Sequence, residues 1–447
     1  MNKQAQLERI LWKLKMATKR DPNFKEFGAK RHRYESYLPL EQEQIEIFEA
    51  QTQVTLPQEF AEFLKGVGNG GAGPYHGIRE LDLESSPELL QQDCLLSPKM
   101  TRKHWQALIA YSQDHKLELY GGMLGIGSMG WTFEMMLVLN GPYRGRVVYI
   151  DHNEQIPFFT YEANFLEWYE RWLDEVIGGY DLGWFATKPA GDDMVLIDLY
   201  LSSLEEQVKV SAIQGMYKLP KLKTETLSFL FEQCTDSSKI VRNAAIEILA
   251  QKNYEQAIPF LRQALSGPLI EERLNAARQI DMYGEPGGGE LTSLIQQKLM
   301  QEEDPELFCQ LIRILERGSA NPLNALIPFF THPDPELRRE AIFHAGRLPG
   351  KEVYATQLGE ALDDTNQIVQ ETAVCALEGV PLPSLLAKYG KLIALPSSGV
   401  TLRKAVLSRL SEYGKQAYSF LEQASTDSDA EIREEARHLL RQYQMML

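Results

Sequence analysis

Beyond about residue 195 the apolar positions fall into a long, even rhythm. A five-residue unit recurs: apolar, basic, two free positions, alanine. It reads Val208-Lys209 with Ala212, Val241-Arg242 with Ala245, Leu337-Arg338 with Ala341, and Ile432-Arg433 with Ala436. Looser copies lie between them: Glu272-Arg273 with Ala276, Leu307-Phe308 with Leu311, Val369-Gln370 with Ala373, and Thr401-Leu402 with Ala405. The first positions are 208, 241, 272, 307, 337, 369, 401 and 432, separated by 33, 31, 35, 30, 32, 32 and 31 residues. Such a period marks stacked structural repeats. Positions four apart share one helix face, and a small residue there lets a neighbouring helix come close. Four residues further lie Met216, Leu249, Ile280, Leu315, Ala345, Leu377, Arg409 and Leu440, of which only Arg409 breaks the apolar stripe.

The helix starts carry their own marks. Asp304-Pro305-Glu306-Leu307 and Asp334-Pro335-Glu336-Leu337 each give an Asp cap, a first-turn proline and an early acid. Asp429 stands likewise before Ile432. Second helices are expected at 257–265, 291–300, 323–330 and 418–424, so the unit is helix–turn–helix. In these features the stretch 195–447, about eight units, resembles the HEAT-like repeat family in a short form of about thirty residues. The resemblance implies an all-α solenoid with a curved partner-binding surface. The basic series has two readings: partner contact, or bonds to neighbouring turns and acids within the array.

Residues 1–185 lack this period. Helices are expected at 42–51, 57–66 and 101–112, and the run Gly66 to Pro74 breaks the second. Strands are expected at 78–83, 131–140, 145–151 and 157–160, with Asn140-Gly141-Pro142 as a turn. Phe165, Trp168, Trp172 and Val176 keep helical spacing and close the module. The class is α+β with a small antiparallel sheet and flanking helices, and residues 186–194 are expected to link it to the repeats. Taken in order, Leu56-Pro57 with Phe60 and Leu64, Gly68-Asn69-Gly70-Gly71, Leu124-Gly125 with Gly127, Val147 to Asp151, and Phe165 with Trp168 resemble the SUKH superfamily, named in part for the yeast Smi and Knr proteins. The resemblance implies a non-enzymatic binding fold, in bacteria commonly one that confers immunity to polymorphic or contact-delivered toxins. A fused repeat array is not part of that family's minimal pattern.

Charge narrows the choice of partner. The net charge is −16 over 447 residues. Residues 1–185 hold 19 Lys+Arg and 26 Asp+Glu, a net of −7, so the remainder carries −16 + 7 = −9. Two acidic halves disfavour nucleic acid and favour a basic protein partner. Residues 1–33 run the other way, with ten basic side chains; Leu7, Ile10, Leu11 and Leu14 give them an apolar stripe. That segment reads either as a surface-binding helix or as a first helix docked on the acidic body. Cys94, Cys234, Cys309 and Cys375 are scattered, as expected of free thiols in a cytoplasmic protein. No secretory signal and no membrane span is expected.

Candidate chemistry is thin. Gly125-Ile126-Gly127-Ser128-Met129-Gly130 matches a dinucleotide fingerprint in letters, but a strand-like segment follows where a helix is required; a glycine turn feeding a hairpin is expected instead. The eight histidines show no metal-ligand spacing, and no nucleophile–base set is apparent. Asp151 and His152, beside Glu154, would point to opposite faces of a strand. The expectation is therefore no enzyme, no cofactor and no metal. The favoured reading is an immunity protein that binds a basic toxin effector domain. The alternative is a regulatory scaffold that joins host proteins through the SUKH-like module and the repeat surface. Tyr75, His76, Trp131, Asp151 and His152 are the candidate partner-binding residues.

Overall fold

A computed structural model describes residues 3–81, 87–153, 155–318 and 322–445. The chain forms two compact units, Met1–Ile248 and Leu249–Leu447.

In the first unit four antiparallel strands follow one another in order: β1 (Met123–Gly130), β2 (Phe133–Val138), β3 (Val147–Asp151) and β4 (Phe158–Phe159). Alternate side chains serve opposite faces of the sheet. Met135, Leu137, Val147 and Tyr149 enter a core with Phe48, Phe60, Phe63 and the Phe165–Gly178 helix. Met136, Val138, Val148 and Ile150 enter a second core with Trp105, Leu96 and Phe159. Both faces are covered, which is why β3 is buried at every position and reads as an unbroken apolar run. Phe165 anchors the first core edge-on, 4.8 Å from Phe60 and 4.9 Å from Phe63 between ring centres.

The Gly125–Gly130 segment is not the expected turn. It is most of β1, with irregular register between Gly125 and Gly127 and between Ser128 and Gly130. Glycine is needed there because of close approach: a Cβ at Gly127 would lie 2.4 Å from Met135 Cε and 2.6 Å from the Gly77 carbonyl. Within the described part of the expected 78–83 strand there is a bridge between Gly71 and Ile78, and Arg79 N donates to the Ile126 carbonyl of β1 at 2.8 Å; Asp82 and Leu83 lie outside the described residues.

The basic N-terminal segment forms a helix, Lys3–Arg20, that buries Leu7, Ile10, Leu14 and Ala17. Arg9 and Lys13 both reach Glu170 at 2.9 Å, and Lys13 reaches Asp174 at 2.6 Å. These bonds support the docked reading of that helix.

All eight repeat units begin on helices: Glu206–Gly215, Lys239–Lys252, Ile270–Tyr283, Pro305–Glu316, Pro335–Arg347, Gln367–Ala376, Gly399–Leu410 and Ala430–Met445. Asp304 Oδ1 caps Leu307 N at 2.9 Å, Asp334 Oδ1 caps Glu336 N at 2.8 Å, and Asp429 Oδ1 caps Glu431 N at 2.9 Å. Second helices appear at Tyr254–Ser266, Thr292–Leu299 and Tyr418–Ala424. The one expected at 323–330 is α-helical only over Leu323–Leu326 and continues as a 3-10 turn from Ile327, because Pro328 offers no amide to the α ladder. The seventh unit is one residue out of the expected register. Leu402, Val406 and Leu410 are fully buried and Ala405 only partly so; Leu410 continues the apolar stripe, while Arg409, itself buried, pairs with Glu412 at 2.7 Å.

The basic residue of the unit clamps the turn behind it. Arg242 Nη1 donates to the carbonyls of Asp236 and Ser237 at 2.7 and 3.3 Å. Arg273 does the same to Gly267 and Pro268 at 3.3 and 3.0 Å, Arg338 to His332 and Pro333 at 2.8 and 3.0 Å, and Arg433 to Asp427 and Ser428 at 2.7 and 3.3 Å. Gln370, which replaces the cation in its unit, still donates to the Asp364 carbonyl at 2.8 Å. The series therefore serves the array itself.

Buried His32 ties the pH response of the first unit to its core. Its Nδ1 accepts from Tyr34 N at 3.0 Å, and burial pushes its pKa from the usual 6.5 down to about 4. A base with a depressed folded pKa binds fewer protons folded than unfolded, so stability is complete above 6.5 and falls as the pH drops toward 4. The loss reaches about 3 kcal/mol. Denaturant unfolding of the first unit across that range should show this slope, and His32→Gln should flatten it; an unchanged slope in the variant would contradict the assignment.

Candidate functional site

The candidate residues cluster around the β1–β2 hairpin, though not in one role. Gly130 pairs with Phe133, leaving Trp131-Thr132 as a two-residue loop. Such loops favour Gly, Asn or Asp because the backbone turns left-handed. Here Trp131 takes that conformation, with φ at 53°, and its side chain is fully exposed. A bulky residue so placed costs about 1–3 kcal/mol. Its ring gains nothing from the core.

Asp151 braces this hairpin. It is buried, not exposed, and its Oδ1 accepts from Thr132 Oγ1 at 2.5 Å and from Asn153 N at 3.2 Å. Its Oδ2 is buried without a hydrogen-bond partner. His152 turns outward: its Nε2 lies 3.3 Å from Glu134 Oε2. The strand end thus separates the two residues, and Glu154 lies outside the described residues. Tyr75 is largely inside, its ring edge-on to Tyr149 at 6.2 Å, with burial raising its hydroxyl pKa. His76 packs on Phe27 with ring centres 4.9 Å apart.

Two residues that sequence reasoning missed complete the surface. Phe27 and Trp184 are each more than half exposed. Phe27 comes within reach of the hairpin, since a Cβ on Gly130 would lie 3.8 Å from its Cζ and 3.5 Å from His76 Nε2. Trp184 meets Phe133 edge-on at 5.2 Å. Beside that pair opens a cavity of about 320 Å³ walled by Phe133, Tyr149, Ile156, Phe158, Trp184 and Lys188. These residues come from segments scattered over the chain, and no local pattern distinguished them from core aromatics.

A buried ionic network underlies the same region. Arg171 binds Glu162 and Glu175 at 2.5 and 2.8 Å, Lys218 binds Glu175 at 2.6 Å, and the carbonyls of Lys188 and Pro189 accept from Arg171 and Lys218. Burial lowers the Lys218 pKa, with Arg171 adding to the effect and Glu175 opposing it. Residues 188 and 189, inside the expected 186–194 connection, are therefore tied on both sides within the first unit.

Comparison with known proteins adds to this geometry. Residues 194–286 match the family model of HEAT repeats. The match does not extend to the N-terminal module. No match to a curated protein is found. Among solved structures, the chain is similar to the Escherichia coli protein YibA, at 16% identity over 56% of this chain and 93% of that one, with a TM-score of 0.38. It is similar to an archaeal HEAT-like repeats protein from Thermococcus onnurineus, at 14% identity over 58% and 99% of the two chains, with a TM-score of 0.24. Human deoxyhypusine hydroxylase is 15% identical over 57% and 97%, with a TM-score of 0.25. Among the described residues no helix is long and apolar enough to cross a membrane.

The strain at Trp131 makes a direct prediction. Asn tolerates the left-handed region far better than Trp. Trp131→Asn should therefore stabilise the first unit by about 0.5–1 kcal/mol, a gain typical of relieved strain at a site kept for function. Paired denaturant titrations measure this; a loss of stability would mean that the ring has a structural role.

Proposed function

We propose that this protein is a non-enzymatic binding scaffold. In this reading a head of about residues 1–185 recognises one protein through the hairpin surface, residues 195–447 present a second surface, and 186–194 lie between them. The observation that carries it is Trp131, a fully exposed ring held in an unfavourable backbone conformation beside exposed Phe27 and Trp184. Aromatic residues of this kind dominate binding energy at protein interfaces. The HEAT-repeat match supports an interaction scaffold. The acidity of both halves supports a basic partner, met at a rate that falls with salt.

The toxin-neutralising role is the narrower form of this proposal and rests on the SUKH resemblance of the N-terminal motifs. The repeat match supports the scaffold reading better. A cytoplasmic location belongs to the same proposal. So does the absence of catalysis.

Cross-linking in native extract, followed by affinity measurement with the purified partner, tests the scaffold reading. The combined variant Phe27→Ala, Trp131→Asn, Trp184→Ala should weaken binding by roughly 30-fold or more, the scale of an interface hot spot, while the protein stays folded. Full affinity in that variant would remove the hairpin surface from the proposal. Relief of toxicity by the wild-type chain, lost in the variant, would select the toxin-neutralising form.

A further inference from the structure

Two successive repeat helices in the second unit bring unlike metal-binding side chains together. Cys309 and Glu316 belong to Pro305–Glu316, and Glu340 and His344 belong to Pro335–Arg347. Glu340 and His344 are four residues apart and so share one helix face. One ligand atom each from Cys309, Glu340 and His344 can be chosen so that all three lie within 4.8 Å of one another. His344 is 5% exposed.

The surroundings sort the donors. His344 Nδ1 lies 2.8 Å from Glu316 Oε1. A carboxylate there accepts the Nδ1 proton and leaves the Nε2 lone pair free, the outer-shell arrangement that orients metal-binding histidines. His344 Nε2 lies 4.0 Å from Glu340 Oε2. The other oxygen of Glu340, Oε1, is held by Arg339, so Oε2 is the one turned to the imidazole. We propose that Cys309, Glu340 and His344 form a binding site for a zinc-like divalent transition-metal ion, with Glu316 as the positioning residue behind His344.

Sulfur, imidazole and carboxylate together suit zinc or cobalt rather than magnesium or calcium, and three protein ligands leave a fourth position for water. Ligands at the usual 2.0–2.3 Å from a tetrahedral ion stand about 3.3–3.8 Å apart. The present spacing closes to that by about 1 Å, within the reach of side-chain rotation. In the metal-free protein, burial and the neighbouring Glu340 push the Cys309 thiol up to about 12. Coordination therefore releases the thiol proton to solvent as the S–metal bond forms. The ion would cross-link two adjacent repeats and stabilise the second unit by mass action.

The test uses the full chain, stripped with chelator and titrated with Co²⁺ alone. The expected result is uptake of about one equivalent with a thiolate-to-cobalt charge-transfer band that Zn²⁺ displaces. Cys309→Ser should abolish the band. Glu316→Gln should weaken binding by roughly 10- to 100-fold, and Cys375→Ser, an exposed thiol elsewhere, should leave it unchanged. Zn²⁺ should raise the Tm of the wild type and not that of His344→Ala, whose fold is checked by circular dichroism. Absence of cobalt uptake, a band that survives in Cys309→Ser, or an equal Tm rise in His344→Ala would each overturn the proposal, leaving the cluster as an ordinary polar contact between helices.

Discussion

A guanidinium that bonds the carbonyls five and six residues behind it is the constraint on which the repeat architecture depends. The turn between two helices leaves carbonyls without helical partners. A charged hydrogen bond to each contributes more than a neutral one, about 1.5–3 kcal/mol. Arg242, Arg273, Arg338 and Arg433 repeat this bond with the same spacing. Fixing the turn fixes where the next helix enters. That in turn brings small residues into contact: a Cβ on Gly346 would lie 2.6 Å from Ala376 on the following repeat helix. The apolar stripe, the alanines and the cation are thus one device. Where the cation changes, the device changes with it. Lys209 sits over the Tyr200 ring at 5.0 Å instead, and Arg403 donates to the Ile393 carbonyl at 3.0 Å and pairs with Asp427.

The N-terminal module solves a different problem. Its sheet is small, so each face needs its own helical cover, and the two cores divide β2 and β3 residue by residue. The ionic network of Arg171, Glu162, Glu175 and Lys218 then joins the closing helix of that module to the 3-10 turn that follows the first repeat helix within the same unit. Buried ion pairs cost much of what they return, so this network gives one defined arrangement more than it gives stability. A surface loop held by such a frame can carry strain. Trp131 does so, with Asp151 and Thr132 bracing the turn beneath it.

Local pattern revealed most of the helices and the repeat period, because amphipathic spacing and Asp-Pro caps are written in adjacent residues. It failed where geometry overrides pattern. Near residue 401 an alanine in the expected place concealed a register one residue later, visible only through the burial of Leu402 and Val406. At Gly125–Gly130 the glycines suggested a turn, whereas close approach of the Gly77 carbonyl needs them in a strand. Asp151 looked like a surface residue at a strand end because nothing in sequence shows that Thr132 will reach it. Phe27, Trp184 and the Cys309–Glu340–His344 group were missed for the same reason: their neighbours lie about 30 to 100 residues away in the chain.

Native-state hydrogen exchange on Arg338→Met probes the turn clamp most directly, with Asp364→Asn separating the contribution of the ion pair at 2.7 Å. The account predicts that losing the guanidinium speeds exchange in the 332–336 turn and the helix it starts, by an opening free energy lower by about 1.5–3 kcal/mol, and that Asp364→Asn has a smaller effect there. Unchanged protection of that turn in Arg338→Met would contradict it.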